Sequence, residues 1–509
     1  MTARPRPVPG RTLAADVRGL LADAADVYRD HPGATARLRA LQDRMDEPLR
    51  VALAGRVKAG KSTLLNALVG ERIAPTDAGE CTRVVTWYRQ GPVPRVVLHA
   101  VDGARRPLPV RRVRGELRLE LAEAAVEQVE RLVVDWPTAG LAAATLIDTP
   151  GISSLSTEAS ARTQAFLDAG DQLSGADAVV FLTRQFQPAD LAFLAAVQRA
   201  CGGLPATTLS VLSRADDAGG GQLDALLTAE TLARRTAASP GVGALSSTVL
   251  PVAGLMALGG RTLRHADFVS LRTLAGADRA AVEAMLLTAD RFRRPEAPVD
   301  LPADVRVGLV ERFGLFGVRM AVALLRTGVT DAPTLAEELV DRSGLTELQR
   351  LVAVQFTERG DQLKATTALR LVERLLRELP VAGDAVLWRG LDRVRSGSLE
   401  IPELELLSRT RLPGGPLPPD TREEAERLLG ATDPSPAARL GLPPDASPEQ
   451  LRAAADRAVR RWQERAADPL ARRAAVDAAE LLVQEAGSLL AALPAEDPGS
   501  TGGAPHPVA

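Results

Sequence analysis

Residues 49–63 read Leu49-Arg-Val-Ala-Leu-Ala54-Gly55-Arg-Val-Lys58-Ala59-Gly60-Lys61-Ser62-Thr63. The first six residues form a compact apolar strand, and Thr63 to Leu68 opens a helix. Between them stands the pattern of a phosphate-binding loop, in the strand–loop–helix setting that gives the pattern its meaning. Gly55 and Gly60 let successive backbone N–H groups, those of Lys58 and Ala59 among them, converge on phosphate oxygens. The helix start at Ser62 and Thr63 adds a favourable dipole. Lys61 is expected to reach the β- and γ-phosphates, and the Ser62 hydroxyl to hold Mg²⁺.

Downstream motifs follow in the order a guanine-nucleotide site requires. The apolar strand Ala143–Ile147 runs into Asp148-Thr-Pro-Gly151. There Asp148 is placed to join the magnesium shell, and the Gly151 N–H to sense the γ-phosphate. The strand 209–212 ends in Ser213-Arg214-Ala215-Asp216. Asp216 in this position accepts hydrogen bonds from guanine N1 and N2, which adenine does not supply, and Arg214 lies along the base. Thr248 to Val252, followed by Ala253 and Gly254, is a late strand and turn suited to completing the base pocket. A switch threonine that meets Mg²⁺ and the γ-phosphate is expected among Thr76, Thr82 and Thr86; spacing does not choose between them. Ile152 follows Gly151, so no water-orienting glutamine stands there. Lys58, three residues before Lys61, is the candidate for neutralising charge at the β–γ bridge.

The rest of the chain sets the frame. Its 509 residues exceed one ordinary core, and charged residues make up 25% against 46% hydrophobic and only 3% aromatic. A net charge of −2 speaks against nucleic-acid binding through bulk positive charge. Of 62 basic residues only Lys58, Lys61 and Lys364 are lysine, so a position that keeps lysine is one to explain. Cys81 and Cys201 offer no disulfide framework, and His31, His99, His265 and His506 have no metal-ligand spacing. Met1 to Arg11 lacks an apolar signal core, and the uncharged stretch 236–260 is broken by glycines and prolines. A cytoplasmic protein is expected, at most peripheral at the inner face of the plasma membrane.

Helical periodicity at residues 13–28 and 38–45 precedes the first strand. Short strands alternating with helices to residue 258 predict a mostly parallel α/β domain. Beyond 260 the pattern is helical: residues 304–326, a long run from 345 to Pro380, then 421–429, 448–466 and 469–492. The expected layout is 1–47 as N-terminal helices, 48–258 as the GTPase domain, 259–493 as a helical bundle and 494–509 as a disordered tail.

With these motifs the chain resembles the dynamin superfamily, and within it the actinobacterial isoniazid-inducible dynamin-like group. The likeness rests on Gly55–Thr63 with Leu64 to Leu68, on Pro75-Thr76 and Cys81-Thr82-Arg83, and on Asp148–Gly151, Ser213–Asp216 and Pro251–Gly254. It continues more loosely at residues 311–319, 343–345 and 363–365. The resemblance implies that Thr82 takes the switch role. It also implies a P-loop GTPase head on a helical neck and trunk, with the N-terminal helices packed into the neck. Heads of such proteins pair around nucleotide, so a homodimer or a heteromer with another dynamin-like protein is implied. Many remodel membranes through a trunk tip, but this chain has no obvious apolar paddle and no transmembrane hairpin. Peripheral contact with anionic membrane is expected only through a basic helix. The arginines at 452, 457, 460, 461 and 465 are the candidate basic face. Leu440 to Leu451 looks like the opening of a J-domain, but its His-Pro-Asp is absent and a helical hairpin is the expectation. Two rival readings are an Era-like regulatory GTPase and a nucleotide-binding scaffold with little turnover.

Overall fold

The computed structural model describes residues 12–75, 84–113, 116–118, 128–150, 176–200, 205–410 and 415–493. The chain divides into two compact units between Ser398 and Leu399.

The first unit is built on a nine-stranded sheet in the order β11-β10-β9-β1-β8-β2-β7-β3-β4. Five consecutive strands from one edge, β1 (Leu49–Gly55), β8 (Ala144–Asp148), β9 (Ala178–Thr183), β10 (Thr208–Ser213) and β11 (Thr248–Val252), pair in parallel. They are apolar runs because both faces of a parallel sheet are covered. Register brings their carboxyl ends to one edge: Leu53 is opposite Asp148, Gly55 opposite Leu182, and Ser213 opposite Val252. Ligands of open α/β sheets bind at that edge.

The other half of the sheet is mixed, and the sheet as a whole stays mostly parallel, as the sequence pattern predicts. β2 (Thr86–Gln90) runs antiparallel to β8, and β3 (Arg95–Ala100) antiparallel to both β4 (Arg105–Leu108) and β7 (Val129–Trp136). A small hairpin, β5 (Arg111–Val113) with β6 (Glu116–Arg118), stands apart. Several of these strands carry exposed arginines on one or both faces, which blurs their apolar signal.

Helices complete the unit. α1 (Leu13–Val27) and α2 (Pro32–Asp46) form a hairpin, so Pro32 both follows the first helix and opens the second. α1 buries Val17, Leu20 and Leu21 against the helices Gly360–Glu378 and Ala385–Gly397. Burial of each such side chain is worth about 1.5–3 kcal/mol, enough that α1 is an integral element. Gly390 makes the approach possible, since a Cβ there would lie 2.7 Å from Leu20 Cδ1. Tyr28 Oη donates to the Leu379 carbonyl at 2.7 Å. The run from 345 to 380 is two helices, Leu345–Val352 and Gly360–Glu378, joined by a π-helical turn at Ala353–Thr357. The turn seats Phe356 in the core and brings Gln355 to Ser247, whose Oγ donates to it at 2.7 Å.

The second unit is a small helical assembly. Its hairpin, Pro448–Ala466 with Arg473–Ala492, packs with Glu400–Thr410 and Pro419–Leu428 around Trp462, Ala425, Leu482 and Ala486. Ser447 opens the hairpin with a reciprocal capping box: its Oγ accepts from Gln450 N at 3.2 Å and its N–H donates to Gln450 Oε1 at 2.8 Å. Three of the basic-face arginines are engaged: Arg461 with Glu424, Arg452 with the Leu493 carbonyl, and Arg465 over the Trp462 ring. Among the described residues, no helix is long and apolar enough to cross a membrane.

Candidate nucleotide site

The loop after β1 is shaped by its glycines. Gly55 has φ +147°, and a Cβ there would sit 2.2 Å from the Leu182 carbonyl oxygen, so only glycine lets β1 lie this close to β9. Gly60, at φ +94°, turns the chain into α3 (Lys61–Val69). Arg56 anchors the loop's first corner by donating to Gln187 Oε1 at 2.7 Å. Lys58 is exposed at the crest with φ +63°, an uncommon conformation for a residue with a Cβ. Ala59 is buried beneath it.

Lys61 lies inside the loop. Its side chain is buried, with Nζ donating to the Gly55 carbonyl at 3.2 Å and the Arg56 carbonyl at 3.4 Å. Burial lowers its pKa, and the nearby Asp148 carboxylate partly offsets that. At the first turn of α3, Ser62 Oγ donates to Asp148 Oδ2 at 2.9 Å. Asp148 Oδ1 is buried with no hydrogen-bond partner among the described residues. Burial raises the Asp148 pKa, against the charge of Lys61 and the bond from Ser62. Thr149 ties the strand end back to β1, its Oγ1 donating to the Leu53 carbonyl at 2.8 Å.

A cavity of about 270 Å³ opens beside the loop. Ala59, Gly60 and Thr63 line one side and Ser213, Arg214 and Asp216 another. Arg214 takes φ +55° to leave β10, and Asp216 follows in the turn Ala215–Gly220. Burial pushes the Asp216 carboxyl above its ordinary range. Ala253, fully buried after β11, donates its N–H to the Ser343 carbonyl at 2.9 Å, and Gly254 faces Thr63 across 3.6 Å of would-be Cβ contact. Lys61, Ser62 and Asp148 thus meet at the phosphate loop, while Ser213, Arg214 and Asp216 gather on the far side of the cavity; Ala253 does not line it, although its neighbours Val252 and Gly254 do.

Three expected residues, Thr76, Thr82 and Gly151, lie outside the described residues. Thr86 is the first residue of β2, opposite Asp148 in the antiparallel register, and is buried with Oγ1 on the Val84 carbonyl at 3.4 Å. The sequence reading did not anticipate Gly314 and Leu315 on the cavity wall. The signal available was the Gly- and Phe-rich stretch 311–319.

Residues 51–192 match the profile of the dynamin family. Over 448 residues, 88% of this chain and 90% of the relative, the sequence is 43% identical to the isoniazid-induced protein IniC of Mycobacterium tuberculosis. It is 31% identical over 153 residues to a bacterial dynamin-like protein of Nostoc punctiforme, covering 28% of this chain and 21% of that one. A solved structure of an oligomerised bacterial dynamin pair superposes with a TM-score of 0.34 at 10% identity, over 93% of this chain and 90% of that one.

Proposed function

The chain belongs to the dynamin family and is a bacterial dynamin-like GTPase, and from that premise we propose that it hydrolyses GTP with Mg²⁺ held at Ser62 and Asp148. The observation that carries the reading is the 2.9 Å pair between Ser62 Oγ and Asp148 Oδ2, beside the unpartnered Oδ1. A buried carboxylate oxygen without a partner is costly, and a hard divalent cation at that point removes the cost. When bound, Mg²⁺ supplies neutralisation of the developing phosphate charge.

The chain's own residues do the rest. Lys61 holds a buried ammonium on two loop carbonyls, placed to turn to the β- and γ-phosphates. The backbone from Gly55 to Thr63 cradles the phosphates, and Lys58 lies above the β–γ bridge as the charge that answers the leaving group. Asp216 reads guanine N1 and N2, with Ser213 and Arg214 around the base. Thr82 and Gly151 act as the γ-phosphate-dependent switch contacts. In domain terms, 48–258 is the head, and 1–47 with 259–493 form neck and trunk.

The proposal extends to assembly. Heads pair around bound nucleotide, with a second copy or another dynamin-like chain, and contact with membrane is peripheral and anionic. Arg457 and Arg460, the exposed remainder of the basic face, support that contact.

Phosphate release from GTP tests the core of this reading. Activity should fall to background on magnesium chelation and in Lys61→Ala; activity that survives both overturns it. Specific activity should rise with protein concentration if heads pair, and flotation with anionic but not neutral vesicles should follow if membrane is bound.

A further inference from the structure

The cavity beside Asp216 has a wall that neither the phosphate loop nor the guanine-reading turn supplies. Gly314 and Leu315 form it, and both belong to the helix Ala303–Arg326, beyond the residues 51–192 that match the family profile. Gly314 breaks that helix at φ +70°, ψ +164°, a conformation open essentially to glycine alone. A Cβ built there would lie 3.8 Å from Asp216 Oδ2 and 3.7 Å from Leu255 Cβ. The kink therefore sets bare main chain against the carboxylate, with half-buried Leu315 beside it at the rim.

The same helix also grips the turn that carries Asp216. Arg319 Nη1 donates to the Gly221 carbonyl, at the end of that turn, while Nε donates to the Leu286 carbonyl at 2.8 Å and Nη2 to the Leu287 carbonyl at 3.0 Å. The wall is not free to retreat. Phe313 packs so tightly on the helix Gly254–Arg261 that a Cβ on Gly259 would lie 2.4 Å from Phe313 Cδ1. Ala253 and Phe313 sit in one hydrophobic core.

A carboxylate discriminates guanine from adenine strongly only where water does not replace the missing partner, because the penalty comes from a buried group left unpaired. We propose that Gly314 and Leu315 are specificity-determining residues of the nucleotide site and that Arg319 positions Asp216, so that base selection depends on a helix outside the GTPase core. This rests on the reading of Asp216 given above. Opening the wall hydrates the carboxylate and lowers the penalty on adenine; releasing Arg319 lets the turn drift from the base.

The test compares kcat and KM for GTP and ATP, with melting temperature, in Leu315→Ala, Leu315→Trp, Arg319→Gln and Asp216→Asn. Leu315→Ala and Arg319→Gln should raise KM for GTP more than they lower kcat and shrink the GTP-over-ATP preference about tenfold. Leu315→Trp, entering from the half-buried rim, should weaken both nucleotides. Melting temperatures within about 3 °C of the parent separate these effects from unfolding. If Asp216→Asn abolishes guanine preference while every Leu315 and Arg319 variant keeps it, this proposal is overturned and the reading of Asp216 stands. If Asp216→Asn itself keeps guanine preference, that reading fails and takes the proposal with it.

Discussion

Lys364 Nζ donates to the carbonyl oxygen of Met45 at 2.9 Å, across a sequence separation of 319 residues. A second bond reaches the Glu47 carbonyl at 3.1 Å, so the ammonium closes the C-terminal end of α2 just before β1 begins. Close by, Arg44 pairs with Asp177, whose carboxylate is fully buried and also accepts from Arg50 N at 2.9 Å. Burial raises the Asp177 pKa, with Arg44 chief among the groups that oppose it. This explains the third lysine: a compact point charge fits between two carbonyls where a planar guanidinium does not.

Lys364→Met should therefore cost about 2–4 kcal/mol, since it strands the buried Met45 carbonyl and the part-buried Glu47 carbonyl at a helix end. Lys364→Arg should recover little of it. Urea denaturation of the three proteins decides the matter; equal stability of the arginine variant and the parent contradicts the point-charge account.

Lys58 stands exposed at φ +63°, so its side chain and its backbone strain need separate tests. Lys58→Ala should lower kcat about 10–100-fold while nucleotide affinity changes little, as expected for charge stabilisation felt mainly in the transition state. Lys58→Gly relieves the backbone and still lacks the charge. Turnover restored in the glycine variant would remove the electrostatic role.

Gly344 has φ +82°, and a Cβ on it would lie 2.3 Å from the Pro251 carbonyl oxygen. Ser343, its neighbour, receives the Ala253 N–H. Gly344→Ala should cost about 2–4 kcal/mol from strain and displacement. It should also raise KM for GTP, because β11 and Ala253 move with it. Thermal melts and steady-state kinetics test the two halves; a stable variant with unaltered KM counts against this coupling.

In the second unit, Glu403 is pushed up to about 9, first by burial and then by the hydrogen bond and charge of Glu485, which itself pairs with Arg439. The folded state then keeps a proton that the unfolded chain releases in the ordinary carboxylate range. Stability from this site is greatest below that range and falls as pH rises towards 9. Glu403→Gln should melt about 5 °C above the parent at pH 8 and close to it at pH 4.5. A difference that does not grow with pH refutes the shared proton.

The phosphate loop, the Asp148 strand end and the Ser213–Asp216 turn were legible in sequence because each is a local run of residues doing a local job. The same holds for the Ser447 cap, whose partner Gln450 is three residues away. The strands between Thr86 and Trp136 were not legible, since short segments with exposed arginines carry little period-two contrast. Nor was the break at Gly314, because a single glycine in a helical pattern is usually tolerated without a kink.

By itself, then, the sequence determined the chemistry of the edge: which residues follow which strand, and that the fold is an α/β GTPase with a helical remainder. Tertiary structure alone decided what lies across from those residues. That Gly314 backs Asp216, that Ser343 receives Ala253 and that Lys364 caps α2 are pairings between segments far apart in the chain. A glycine or a lysine in a helix has the same local signature whether it faces solvent or a carboxylate. Only the packing of one element on another, set by shape and register over the whole unit, tells the two apart.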